Sequence, residues 1–376
     1  MAKPYDQIPD RRAIVRRRAL EDALAKLVED LPTGAEPPRP AVLALLRDAL
    51  AGGRVEIRRR FEEAGPLRND GDQVLAATSF LMDQLIRVIF DFADQRIYPA
   101  ANPSTAERLS VVATGGYGRG ELAPLSDIDL LFLRPYKQTP RGEQIVEFML
   151  YLLWDLGLKV GHATRTVEES LRYAERDQTI RTALLEARYV WGDRELFEEM
   201  TKGFTQKFLT GDGRDFVEAK LAERDQRHQR MGDSRYVVEP NVKEGKGGLR
   251  DLHLLFWIAE YLYRVHEPGE LVAKGVLTRE EARHFERAER FFTTVRCHIH
   301  YLTARADDRL SFELQREIAA RLGYQDRSGS RGVERFTKHY YLHAKTVGDL
   351  TRIFVAALED SRRRKPKLAA LWQTLR

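Results

Sequence analysis

The chain has 376 residues, 43% of them hydrophobic and 32% charged, and its 62 Lys and Arg nearly balance 57 Asp and Glu for a net charge of +5. That balance belongs to a globular chain with two or three cores and excludes a disordered or densely basic, nucleic-acid-coating protein. The single cysteine, Cys297, excludes an internal disulfide framework and a four-cysteine zinc site.

The first residues, MAKPYDQIPDRRAIVRRRAL, carry basic side chains with no hydrophobic core behind them, unlike a secretory signal. No unbroken apolar run approaches the ~20 residues of a membrane span. With an unpaired cysteine, this composition predicts a reduced, cytoplasmic protein with no membrane partner. Residues 1–74 read as a helical N-terminal extension, broken at 31–41 by LPTGAEPPRPA, whose four prolines forbid a continuous helix. The basic clusters Arg16–Arg18, Arg58–Arg60 and Arg362–Lys365 read as solvated helix faces or tail.

SFLMDQLIRVIFDFADQRI (79–97) has the three- and four-residue apolar spacing of a half-buried helix. LSVVAT (109–114), IDLLFL (128–133) and KVGHATRT (159–166) read as strands, and EQIVEFMLYLLWDLG (143–157) as a helix between the last two. Together they predict a small α/β domain over 75–170. From 171 to 360 the pattern is helical, including ESLRYAERDQTIRTALLEARYVW and DLHLLFWIAEYLYRV, and the glycine-rich NVKEGKGGLRD (241–251) interrupts it. Residues 361–376 form a basic tail. The expected fold class is α+β: a small α/β domain, then an all-α domain, with a helical extension in front.

The chemistry concentrates in ATGGYGRGELAPLSDIDLLFL (113–133). A strand runs into Gly115-Gly116, and Asp127 and Asp129 later flank the start of a second strand. Strand alternation turns both aspartates one way and Ile128 and Leu130 toward the core. Two adjacent carboxylates on a buried strand repel each other, and a hard divalent cation, Mg²⁺ or Mn²⁺, compensates them while substrate phosphates fill its open positions. Gly115 and Gly116 let backbone N–H groups approach a phosphate. Arg119, by its charged fork, and Ser126, by its hydroxyl, are placed for the outer phosphates. These parts describe metal-dependent nucleotidyl transfer.

Gly-Gly, some ten residues, then Asp-x-Asp in a strand resembles the DNA polymerase beta-type nucleotidyltransferase superfamily. GGYGRGELAPLSDIDLL is similar more narrowly to the bacterial PII uridylyltransferase/uridylyl-removing family, as are YVVEPNVKEGKGGLRDLHLLFWIA (236–259) and LLWDLGLKVGHATRTVEES (152–170). The resemblance implies a polymerase beta-like α/β domain and transfer of UMP from UTP to a tyrosine of the PII signal-transduction protein, with pyrophosphate released. Full members continue into an HD phosphohydrolase and two ACT domains. No His-Asp dipeptide occurs here, so neither UMP removal nor glutamine control is expected of these 376 residues.

Many superfamily members carry a third carboxylate on the next strand, where this chain has KVGHATRT and its polar residue is His162. His162, Glu239 and Asp251 are therefore candidates for an accessory role. In NVKEGKGGLRD, glycines before a helix starting near Leu249 are expected to present free N–H groups. Lys243, Lys246 and Arg250 add cations, and the loop is expected to fold over Asp127/Asp129 and touch the triphosphate. Two other readings stand beside uridylyl transfer: adenylylation of a nitrogen-metabolism protein, and a regulatory module that binds nucleotide without transferring it.

Overall fold

The computed structural model describes residues 5–31, 37–65, 70–100, 104–265 and 268–364. Residues 32–36 of the proline-rich loop, the side chains of Arg362–Lys365 and the tail from 365 onward lie outside the described residues. The chain forms two compact units. The first comprises residues 1–214, 294–307 and 321–323, and the second the remainder.

The first unit holds a four-stranded sheet of β1 (Ser110–Ala113), β2 (Ile128–Arg134), β3 (Val160–Thr166) and β4 (Arg188–Gly192), in the order β3-β2-β1-β4. Its longer helices are α1 (Arg17–Lys26), α2 (Arg39–Glu63), α3 (Gly71–Phe92), α4 (Pro140–Asp155), α5 (Val167–Arg176), α6 (Gln178–Leu185) and α7 (Arg194–Phe208). β1 runs antiparallel to β2 and β4, while β2 and β3 are parallel. A parallel pair needs a crossover, and α4 supplies it. Thr139 starts α4 by accepting the Gly142 N–H, with Pro140 at the first position, where no N–H is missed.

The sheet has one strand more than the sequence pattern suggests. ARYVWG sits at the end of a stretch that reads as helical, yet Arg188–Gly192 pairs with β1. Asp177 accepts the N–H groups of Thr179 and Ile180, which ends one helix and begins the next. That second helix stops at Leu185, and a short run of Tyr, Val and Trp then pairs as strand. Elsewhere, along α2, Arg58 pairs with Glu62, Arg59 with Glu56 and Glu63, and Arg60 with Glu56.

α3 continues through a π-helical turn to Ile97, and by length and composition Gly71–Ile97 is apolar enough to cross a membrane. It is instead the core helix of the first unit, 89% buried over its most apolar window. Two polar residues one turn apart on it are fully buried, Ser79 and Asp83. Ser79 Oγ accepts the Leu122 N–H at 3.0 Å. Asp83 accepts the Tyr117 hydroxyl at 2.7 Å and two Arg188 N–H groups at 2.7 and 3.0 Å. Arg188 in turn donates to the carbonyls of Tyr117 and Gly118. α3 therefore braces the segment after β1 through buried polar contacts on top of apolar packing.

The second unit is helical among its described residues: α8 (Arg214–Arg230), α9 (Leu249–Tyr263), most of α10 (Arg279–Thr303), α11 (Phe312–Arg321) and α12 (Gly332–Arg364). Phe216 stacks on Tyr261 at 4.0 Å, and Leu252, Ile258, Phe292, Phe336 and Val347 are fully buried. The mixed α+β class follows.

Removing one member of a buried ion pair strands the other, so Asp83→Ala should cost about 3–5 kcal/mol of unfolding free energy. Tyr117→Phe, losing a single hydrogen bond, should cost about 1–2 kcal/mol. Urea midpoints at constant m-value read both.

Candidate active site

At the end of β1 the Thr114 N–H donates to the Asp129 carbonyl at 3.0 Å, tying the two strands together where the glycines begin. Gly115 has φ +59°, a left-handed conformation that disfavours side chains, and the chain enters a single helical turn, Gly115–Gly118. Among the described residues the N–H groups of Gly115 and Gly116 have no hydrogen-bond acceptor. Gly118 is tightly enclosed: a Cβ there would stand 2.2 Å from the Glu186 carbonyl oxygen.

The Asp129 carboxylate lies between two glycines. A Cβ at Gly115 would come within 3.0 Å of its Oδ2, and one at Gly161 within 2.5 Å of Oδ1. Gly161 is the register partner of Asp129 across the parallel β2–β3 pair. Ile128 and Leu130 are buried, as alternation requires, but Asp127 and Asp129 are both exposed. This corrects the expectation of a buried pair, since water screens their repulsion in the free chain. Two exposed carboxylates beside bare backbone still suit a hard divalent ion, because Mg²⁺ is held by one or two carboxylates and completed by phosphates. No cluster of three or more His, Cys, Asp or Glu able to hold a metal occurs among the described residues. The two carboxylates are the donor set the chain offers a divalent ion at this place.

Ser126 follows Leu125, whose φ of +64° is a strained conformation for a branched side chain. Its hydroxyl accepts from Arg296 at 3.3 Å, and His300 holds the same loop through the Pro124 carbonyl. Both lie on the part of α10 that belongs to the first unit. Sequence reasoning missed Arg296, which sits some 170 residues away within ordinary helical periodicity. Arg119 differs from expectation. Its largely buried guanidinium pairs with Glu121 at 2.8 Å and with Glu186, fastening the turn. Burial would lower its pKa, but the two carboxylates raise it above the ordinary arginine value. Arg296 is the cation beside Ser126.

His162 does not join the aspartates either. It pairs in register with Leu130, on the opposite sheet face from Asp129, and is exposed with its ring 5.9 Å from that of Trp154.

The remaining candidates belong to the second unit. Glu239 accepts from Arg309 at 2.5 Å and from the Phe312 N–H at 3.0 Å, and these two bonds lower its pKa. Asp251 is buried against Arg227, His228 and the Gly247 N–H. Burial pushes its carboxyl up, but those three partners outweigh it and hold the pKa below the ordinary value. Arg250 pairs with Glu244 at 2.9 Å and lies over the Trp257 ring, Lys246 reaches Asp233 at 2.7 Å, and Lys243 stands 3.9 Å from Glu244. The glycine-rich loop also closes on itself. Asn241 Oδ1 takes the N–H groups of Lys243 and Glu244, Asp251 takes that of Gly247, and those of Gly245, Gly248, Leu249, Arg250 and Asp251 go to loop carbonyls. The expected row of free N–H groups is not there.

A nucleotidyltransferase-domain model matches residues 102–190, spanning the sheet, and a GlnD PII-uridylyltransferase model matches 215–355. Bifunctional uridylyltransferase/uridylyl-removing enzymes of Rhodospirillum rubrum, Azospirillum brasilense and Novosphingobium aromaticivorans are 57%, 55% and 53% identical to the chain over 95%, 97% and 94% of it. The chain belongs to the PII-uridylyltransferase family. It spans 38% of the length of each of these relatives.

Asp251→Ala should therefore act on stability, costing about 3–5 kcal/mol by stranding the Arg227 charge. A depressed carboxyl pKa stabilises the fold above the unfolded value of about 3.9 and loses that contribution as pH falls through the folded one. Asp251→Asn should accordingly flatten the acid limb of the stability curve, read by thermal melts between pH 2 and 5.

Proposed function

We propose that the chain transfers UMP from UTP to a tyrosine of a PII signal-transduction protein and releases pyrophosphate. The tyrosine oxygen bonds the α-phosphorus, the α–β anhydride bond breaks, and the phenolic proton is released. The observation that carries the reading is the Asp129 carboxylate lodged between Gly115 and Gly161, beside Asp127 and two unengaged glycine N–H groups. The names of the relatives, uridylyltransferase/uridylyl-removing enzymes, agree with it.

Asp127 and Asp129 would hold Mg²⁺ or Mn²⁺. When bound, that ion neutralises phosphate charge and lowers the pKa of a coordinated hydroxyl. The Gly115 and Gly116 N–H groups would take phosphate oxygens, aimed there by the left-handed Gly115. Ser126 and Arg296 would hold the outer phosphates, with the strained Leu125 fixing the hydroxyl's direction. Arg119 keeps the turn in shape through Glu121 and Glu186.

Labelled UTP, Mg²⁺ and a bacterial PII protein should give a labelled PII band, and labelled ATP should not. Label arriving from ATP would favour adenylylation, and UTP binding without transfer a regulatory module. Asp127→Asn and Asp129→Asn should each reduce transfer below a few per cent of wild type. Because both side chains are exposed, unfolding free energy should stay within about 0.5 kcal/mol. Substantial turnover in either variant would refute the metal assignment.

A further inference from the structure

β3 is an edge strand, and the outer side of it is open. The Ile128 N–H donates to the Lys159 carbonyl at 2.9 Å, and the register pairs Ile128 with Val160. In a parallel ladder this directs the backbone groups of residues 159, 161, 163 and 165 toward β2. Those of Val160, His162 and Thr164 point away from the sheet, and none has a hydrogen-bond partner among the described residues. The next outward residue, Thr166, is already engaged by the Glu169 carboxylate and the Ser170 hydroxyl. Gly161, His162 and Thr164 are exposed.

Natural sheets protect such edges with charge, proline, bulges or a cover. This one has neither proline nor bulge between Val160 and Thr166, and exposed aromatic rings stand beside it. Trp154 is 43% exposed and Tyr151 52%, with ring centroids 5.6 Å apart, and Trp154 lies edge-on to His162. An unpaired strand edge next to apolar anchors is what strand addition of an extended peptide requires.

We propose that the acceptor protein presents its reactive hydroxyl on an extended segment that adds to β3 as a fifth strand. The inference rests on the uridylyl-transfer reading and names how the acceptor is held. Strands lie about 4.8 Å apart, so an added strand runs about 10 Å from β2. That gap is closed by a tyrosine side chain from one side and the Asp129 carboxylate from the other. Only a glycine stands between them, because Gly161 is the register partner of Asp129 and any side chain there would meet the carboxylate. Gly161 keeps that lane open. Main-chain pairing fixes the depth of the acceptor residue, and Tyr151 and Trp154 take apolar side chains flanking it.

The test removes one outward N–H and nothing from the sheet. Proline is tolerated on a strand edge whose N–H faces solvent, so His162→Pro should keep the melting temperature and the UTP affinity of wild type. Its transfer to PII should fall at least tenfold, while His162→Ala, which keeps the N–H, should transfer within twofold of wild type. Amide exchange in the wild-type chain gives a second reading: protection at Val160, His162 and Thr164 should rise at least tenfold when PII is added. Transfer within twofold of wild type by His162→Pro, or PII binding without protection of those amides, would overturn the proposal. Protection that appears without PII and grows with protein concentration would assign the edge to a second copy of the chain, and overturn it equally. Failure of the wild-type chain to label PII at all would instead refute the uridylyl-transfer reading.

Discussion

The arrangement of the first unit depends on a carboxylate in its interior. Asp83, fully buried on the core helix, takes the Tyr117 hydroxyl and both ends of the Arg188 fork, and Arg188 then binds the carbonyls of Tyr117 and Gly118. A buried charge is tolerated only when its partners are complete. That condition locks together a helix, an edge strand and the turn after β1. The turn carries Gly115 and Gly116, so the interior ion pair sets where two backbone N–H groups stand relative to Asp129. Gly118 tightens the same junction, lying too close to the Glu186 carbonyl to admit a side chain. Glu186 meanwhile holds Arg119, so the turn is clamped on both sides.

Around Asp129 the controlling factor is the absence of side chains. Glycines on neighbouring segments leave both carboxylate oxygens approachable, and the residue opposite on β3 is one of them. Where a superfamily relative would place a third acid on the adjacent strand, this chain has open backbone at Gly161 and turns His162 to the other face. Two carboxylates and a clear lane suit the proposed site, whose remaining ligands would come from a triphosphate and whose second substrate would be a protein side chain.

Much of this is legible from sequence. The two glycines, the two aspartates and strand alternation predict which of Asp127, Ile128, Asp129 and Leu130 face the core, and the helix read over 143–157 announces itself by its apolar periodicity. The rest is hidden for physical reasons. Whether an aspartate on a strand is buried depends on what covers the sheet, which periodicity does not encode. Arg119 reads as a phosphate ligand because its partner Glu186 is 67 residues away. β4 is disguised by helix-forming neighbours and separated from the helix before it only by Glu186 and Ala187. A signal was nevertheless available: Ser79 and Asp83, one turn apart on an otherwise apolar helix, are what a buried polar brace looks like in a sequence.

The two glycine-rich segments show why composition alone does not identify an anion site. Both GGYG and EGKGG stand at helix starts next to acidic and basic residues, and both invite a phosphate-cradle reading. In the second unit Asn241 and Asp251 reach back and consume N–H groups, and each cation of the loop has a carboxylate nearby, with Glu244 shared by Lys243 and Arg250. A ligand there would have to displace bonds already made, several of them buried. In the first unit the segment is braced from behind, by Tyr117, Arg188 and Asp83, and no side chain takes the Gly115 and Gly116 N–H groups among the described residues. Rigid support behind unengaged donors is preorganisation, because the donors need not reorganise when the charge arrives. The difference between the closed loop and the proposed site therefore lies in which side of the glycines the surrounding acids approach.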